Sequence, residues 1–268
     1  MLPKICLLVC DNSLSGILSS KQTFTDIFVE FLRSSHPNHH KGSPSFILDS
    51  YDVVDAQEYP NLDKEQYDGI IISGSVASVY EDLPWIKKLL AWVSYVFATK
   101  PKVKLLGFCF GHQIIAQALG GMVTCNENGW ELGVTPTHLS DAGKSILGRT
   151  DDSGALMVQE IHRDHVTKPP PSFLVLGHSA LSPVQGLLFI DDGVVESDSA
   201  TIDLSSARIL TFQGHPEFTK DVSVEIIEAI SKLGLASEAL AIQGIQRAGD
   251  KDQGRDVGRS VWKFLRVH

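Results

Sequence analysis

One segment constrains this chain more than any other. An apolar run, Val103–Gly107, leads into Gly107-Phe-Cys109-Phe-Gly111, and a helix-period segment beginning near Gly111 leads out. Glycines two residues either side of a central residue permit a sharp strand-to-helix turn with close backbone approach. Such a turn needs a sheet to launch it and a helix to receive it. The residue at its tip is cysteine. There the unpaired N–H groups of a helix's first turn, together with the helix dipole, stabilise negative charge on the sulfur or on an oxyanion beside it. A turn tip is also expected to expose the sulfur. A cysteine merely buried at a strand end would need neither the flanking glycines nor the His112-Gln113 that follows. From the composition alone, Gly-x-Cys-x-Gly-His-Gln arises by chance with a probability on the order of 10⁻⁵ to 10⁻⁴.

The surrounding pattern supplies the sheet. Lys4–Cys10, Ser45–Leu48 and Gly69–Ile72 read as strands, the last stopping at Ser73-Gly74-Ser75. Lys21–Ser34 carries Phe24, Ile27, Phe28, Phe31 and Leu32 at spacings of three and four, which marks an amphipathic helix. Pro84 suits a first helical turn, and Trp85, Ile86, Leu89, Trp92, Val93 and Val96 give that segment an apolar face. Strand–helix alternation predicts a mainly parallel central sheet flanked by helices. From Met122 to about Phe212 the runs are short and strand-like: Leu132–Pro136, Leu156–Ile161, Phe173–Leu176, Leu187–Ile190, Val194–Val195 and Arg208–Phe212. They predict an additional antiparallel strand layer that continues or flanks the parallel sheet. Thr219–Leu233 reads as a helix with Gly234 as its stop. Residues 1–234 are expected to form one domain. Residues 235–268 are expected to be a helical extension packed on it, because exposing Trp262 and Phe264 together would be costly.

Composition excludes several partners. A net charge of −9, from 32 acidic and 23 basic residues, argues against a general phosphate-backbone binder, so no nucleic acid is expected. No apolar run approaches the roughly 20 residues of a membrane-spanning helix. Four cysteines are too few for a disulfide framework, which favours a reducing, cytoplasmic setting. Cys6 and Cys10 fall on one face of a buried strand and read as core thiols, and Cys125 reads as structural. His36, His39 and His40 sit among Ser, Pro and Asn and read as solvated loop residues. No His/Cys spacing suggests a metal site, and no cofactor is expected.

A thiolate nucleophile wants a base and a group to orient that base. Phe212-Gln-Gly-His215-Pro-Glu217-Phe218 offers both, at the end of an apolar run and just before a helix. Glu217, two residues beyond His215 across a proline, can hold one imidazole nitrogen while the other faces the sulfur.

The two motifs in this order resemble the class I, triad-type glutamine amidotransferases, from the first strand to about Leu233. The resemblance implies a flavodoxin-like α/β fold. It also implies Cys109 as nucleophile, His215 as acid/base and Glu217 as orienter, with an oxyanion hole from the backbone at Gly74 and Phe110. Gln113 and the Glu131-Leu-Gly133 turn match positions that border the glutamine pocket in relatives. His162 and Asp164 are similar to a Ser-His-Gly-Asp segment of the GMP-synthetase type, although Ile161 and Arg163 replace its Ser and Gly. The implied chemistry is hydrolysis of a γ-glutamyl amide through a thioester, with a small γ-glutamyl substrate. Residues 235–268 hold no P-loop and are too few for an acceptor-activating domain. Three readings stay open: a glutaminase subunit serving a separate synthetase partner, a free-standing γ-glutamyl peptidase or amide hydrolase, and a non-catalytic regulatory protein on the same fold.

Overall fold

The computed structural model describes residues 2–38, 46–147, 154–191 and 202–267. The strand expected at Val194–Val195 and the histidines His39 and His40 lie outside the described residues. In chain order the strands are β1 (Lys4–Val9), β2 (Ile47–Asp52), β3 (Gly69–Ile72), β4 (Leu105–Phe108), β5 (Met122–Cys125), β6 (Glu131–Leu139), β7 (Ala155–His162), β8 (Asp164–Lys168), β9 (Leu174–His178), β10 (Gly186–Phe189) and β11 (Ile209–Phe212). The helices are α1 (Leu14–Ile17), α2 (Phe24–Ser35), α3 (Pro84–Thr99), α4 (Phe110–Ala118), α5 (Asp141–Leu147), α6 (Lys220–Lys232), α7 (Glu238–Ala248) and α8 (Gly254–Phe264).

The main sheet has the order β2-β1-β3-β4-β11-β10-β9-β6-β7. Its first five strands run parallel. From β10 onward the pairings are antiparallel, so the antiparallel run continues the same sheet. A separate two-stranded ribbon pairs β5 with β8. Strands covered on both faces read as continuous apolar runs, and every residue of β3 and β4 is buried. The two faces show in the period of two along β1: Ile5, Leu7 and Val9 join the core beneath α2 and α8, whereas Cys6, Leu8 and Cys10 join that beneath α3 and α4. Cys6 and Cys10 are core thiols, and burial pushes both well above the usual thiol range.

Local chemistry sets the helix ends. Thr23 and Asp26 form a reciprocal capping box at the start of α2, with Thr23 N–H donating to Asp26 Oδ2 at 2.8 Å. Thr219 and Ser237 cap α6 and α7 through their side chains. Toward the C-terminus, α7 lies along β6, and α8 packs on α2 with Trp262 and Phe264 fully buried. Trp262 Nε1 donates to the Leu32 carbonyl at 3.0 Å.

Three expectations need correction. His36 is buried, not solvated, because the Trp262 ring meets it edge-on with centroids 4.7 Å apart. Cys125 is exposed on the β5–β8 ribbon and holds no core together. Glu131-Leu-Gly133 opens strand β6 and is not a turn. Gly133 takes φ +77° within that strand, and a Cβ there would lie 2.3 Å from the Gly244 carbonyl oxygen of α7. No helix among the described residues is long and apolar enough to cross a membrane.

Candidate active site

Three parallel neighbours, β3, β4 and β11, end side by side, with Ile72 opposite Gly107 and Phe212 opposite Phe108. The segments that follow therefore emerge together at the carboxyl edge of the sheet, where open α/β folds bind their ligands. They begin at Ser73, Cys109 and Gln213.

Cys109 sits at the tip of the turn between β4 and α4. Its φ of 50° and ψ of −106° are a strained pair for a residue with a side chain. Its N–H donates to the Phe212 carbonyl at 2.9 Å, which ties the tip to β11. The flanking glycines make the turn possible. A Cβ at Gly107 would lie 2.4 Å from the Gly111 oxygen, and one at Gly111 would lie 2.1 Å from the Ile72 oxygen. The expectation of an exposed sulfur is wrong: Cys109 is 6% exposed, and its Sγ lies 4.0 Å from the Ile161 carbonyl oxygen at the end of β7. Phe110 opens α4, so its N–H has no acceptor within the helix.

His215 is held from three sides. Its N–H donates to the Gln159 oxygen at 2.8 Å, its Nδ1 lies 2.8 Å from Glu217 Oε1, and its ring stacks on Phe218 at 4.1 Å and 2°. That leaves Nε2 for Cys109. Burial opposes protonation of the ring, but the charges of Cys109 and Glu217 and hydrogen bonds to both outweigh it, so His215 is pushed up to about 10. Gly74 lies against the same ring, where an added Cβ would fall 2.8 Å from Cε1. The structure thus brings Cys109, His215, Glu217, Gly74 and Phe110 to one place.

A second buried cluster lies alongside. Gln113 Nε2 donates to the Asp164 carbonyl at 2.9 Å and to Gln213 Oε1 at 3.1 Å. His162 Nδ1 is 3.0 Å from the same Asp164 oxygen, and its Nε2 is 3.3 Å from Glu131 Oε2 and 3.2 Å from Glu160 Oε2. Nε2 aims squarely at neither carboxylate. Burial opposes charge on His162, yet the two carboxylates of Glu131 and Glu160 beside Nε2 hold it well above the ordinary histidine value. Burial likewise acts to raise Glu131, but His162 holds it below the usual carboxylate range. Burial pushes Glu160 up. Gly133, expected with these residues, packs on the backbone of α7 instead.

Sequence reasoning missed Glu160, Gln159 and Gln213. The available signal was Glu160 itself, a carboxylate inside the apolar run Leu156–Ile161, where an unpaired charge would be costly. Among the described residues, no group of three or more His, Cys, Asp or Glu is disposed to hold a metal ion.

Comparison with known proteins fits this geometry. A family model described as glutamine amidotransferase class-I matches residues 46–229. A protein named as glutamine amidotransferase-like in Schizosaccharomyces pombe is 28% identical, over 97% of this chain and 98% of its own length. Gamma-glutamyl peptidase 2 of Arabidopsis thaliana is 31% identical, over 72% of this chain and 70% of its own. A glutamine amidotransferase from Thermotoga maritima shares the fold, with a TM-score of 0.69 at 16% identity and 99% of each chain covered.

Proposed function

Because the chain belongs to the class-I glutamine amidotransferase family, we propose that it is a cysteine hydrolase of γ-glutamyl amides that works through a covalent γ-glutamyl thioester on Cys109. One observation carries the reading: a cysteine in a strained elbow faces an imidazole whose other nitrogen is fixed by a buried carboxylate.

The sulfur attacks the γ-carbonyl carbon, and the N–H groups of Phe110 and Gly74 receive the oxyanion. The C–N bond breaks as His215 delivers its proton to the departing nitrogen. Water then adds to the thioester. His215 takes a proton from that water, glutamate leaves, and the proton returns with the sulfur to the resting pair. Glu217 keeps Nδ1 protonated and oriented throughout. The leaving group is the amine of a γ-glutamyl peptide, a choice supported by the 31% identity to gamma-glutamyl peptidase 2. Ammonia from glutamine, passed to a synthetase partner, would be the outcome if glutamine proved the better substrate.

The test is hydrolysis of a panel of γ-glutamyl dipeptides and glutamine, following free glutamate and the released amine together. Wild-type protein should cleave at least one of them, and Cys109→Ala should cleave none while remaining folded. Undiminished turnover by Cys109→Ala, or a trapped glutamyl adduct on Cys125, would overturn the assignment.

A further inference from the structure

The last four residues of β7 touch both halves of the reacting pair. The Gln159 oxygen accepts the His215 N–H at 2.8 Å. Glu160 lies against Gly214, where a Cβ would meet its Oε1 at 2.5 Å. The Ile161 oxygen lies 4.0 Å from Cys109 Sγ, and His162 is bound at Nδ1 to the Asp164 carbonyl. That carbonyl also accepts from Gln113 on the elbow helix, and the same amide of Gln113 reaches Gln213, two residues before His215. Three chain segments that are distant in sequence therefore meet at one strand end.

Backbone pairing with β6 runs to the last residue of β7, Glu131 opposite His162. A side-chain hold is added there: His162 is buried between Glu131 on β6 and Glu160 on β7, with Gln185 Nε2 donating to Glu131 at 3.0 Å. Three ionisable groups out of water are an expensive way to stabilise a fold, since well-packed apolar residues do as well or better. What such a cluster supplies is a fixed geometry. A substrate contact is a poor alternative for His162, because Nδ1 is committed to a carbonyl and Nε2 faces two carboxylates.

We propose that His162, clamped by Glu131 and Glu160, is a positioning residue: it fixes the end of β7 as the gauge that sets the Cys109 sulfur against the His215 imidazole. This rests on the reading of Cys109 and His215 as the reacting pair.

The test uses the full chain with His162→Gln, and with Glu131→Gln as a milder loosening of the same clamp. Two readouts are taken: kcat and KM for the best γ-glutamyl substrate, and the rate of Cys109 alkylation by iodoacetamide without substrate, resolved by peptide. A misplacement approaching 1 Å is worth up to about a hundredfold. His162→Gln should therefore lower kcat roughly tenfold to a hundredfold with KM little changed, and Glu131→Gln should lower it less. Both should slow alkylation of Cys109 but leave that of Cys125 unchanged. A raised KM with unchanged kcat would make His162 a substrate contact and overturn the proposal. Wild-type kcat and alkylation in both variants, or failure of both to fold, would overturn it as well. In the last case the cluster would be needed for the fold itself. If the wild-type chain neither hydrolyses γ-glutamyl amides nor alkylates preferentially at Cys109, the functional reading fails first and takes the gauge with it.

Discussion

Gly74→Ala allows a catalytic cost to be worked from distances. The added Cβ would lie 2.8 Å from His215 Cε1. Carbon atoms rest at about 3.5–4.0 Å, so the ring must retreat by roughly 0.7–1.2 Å. It has little room to do so, because Glu217 holds Nδ1 at 2.8 Å and the ring is tethered to a backbone whose N–H is bound to the Gln159 carbonyl. Gly74 does not have a positive φ, so alanine fits its backbone, and the N–H that would serve the oxyanion is retained. The penalty therefore falls on the placement of the imidazole, and a shift near 1 Å predicts about a hundredfold loss of kcat. The stability cost should sit at the low end of the overpacking range, about 1 kcal/mol, because a side chain and not the backbone must yield. In a chain of this size that lowers the melting temperature by about 2–4 °C. Steady-state hydrolysis and a thermal melt on one preparation measure both. A kcat within about threefold of wild type would refute the argument from misplacement. So would a melting point lower by much more than about 4 °C, because the backbone would then have moved instead of the ring.

Three further outcomes follow from the same structure. His215→Asn should cost about 10²–10⁴-fold in kcat, the usual worth of a general acid/base, and Glu217→Gln should cost less; an equal or larger loss at Glu217 would reverse the roles. Because His215 is raised from 6.5 to about 10 on folding, the stability it adds is complete below pH 6.5 and lost as pH rises through about 10. The excess stability of wild type over His215→Asn, measured by denaturant melts from pH 6 to pH 10.5, should therefore shrink with pH, and a gap that widened would contradict the sign. Trp262→Ala should destabilise by about 3–5 kcal/mol through the emptied volume and the lost hydrogen bond to the Leu32 carbonyl; a change under about 1 kcal/mol would mean that α8 does not hold α2 in solution.

How much of this was legible in the sequence depended on how far apart the interacting residues lie. The elbow could be read because Gly107, Cys109 and Gly111 stand within five residues, and a Cβ at Gly107 would meet Gly111 itself. His215 and Glu217 could be read because a carboxylate two residues away is within reach of its imidazole. The parallel half of the sheet was legible for a similar reason: a strand buried on both faces has an unbroken apolar run, and β3 falls at Gly69–Ile72 as expected. Where the physical cause lies far along the chain, the reading fails. His36 looks like a loop residue until Trp262 is brought to it, and the positive φ of Gly133 looks like a turn until α7 lies across β6. The β5–β8 ribbon and α5 have weak local patterns and are held by contacts with the rest of the fold. The second cluster is the extreme case: Gln113 reaches Asp164 across 51 positions and Gln213 across 100. Its one local clue is Glu160, followed by His162 on the same strand face. A buried carboxylate demands a partner, and the nearest group able to carry a positive charge on that face is His162. A buried ionisable group inside an apolar strand thus points to a neighbour that must answer its charge, and here that neighbour lies beside the reacting pair.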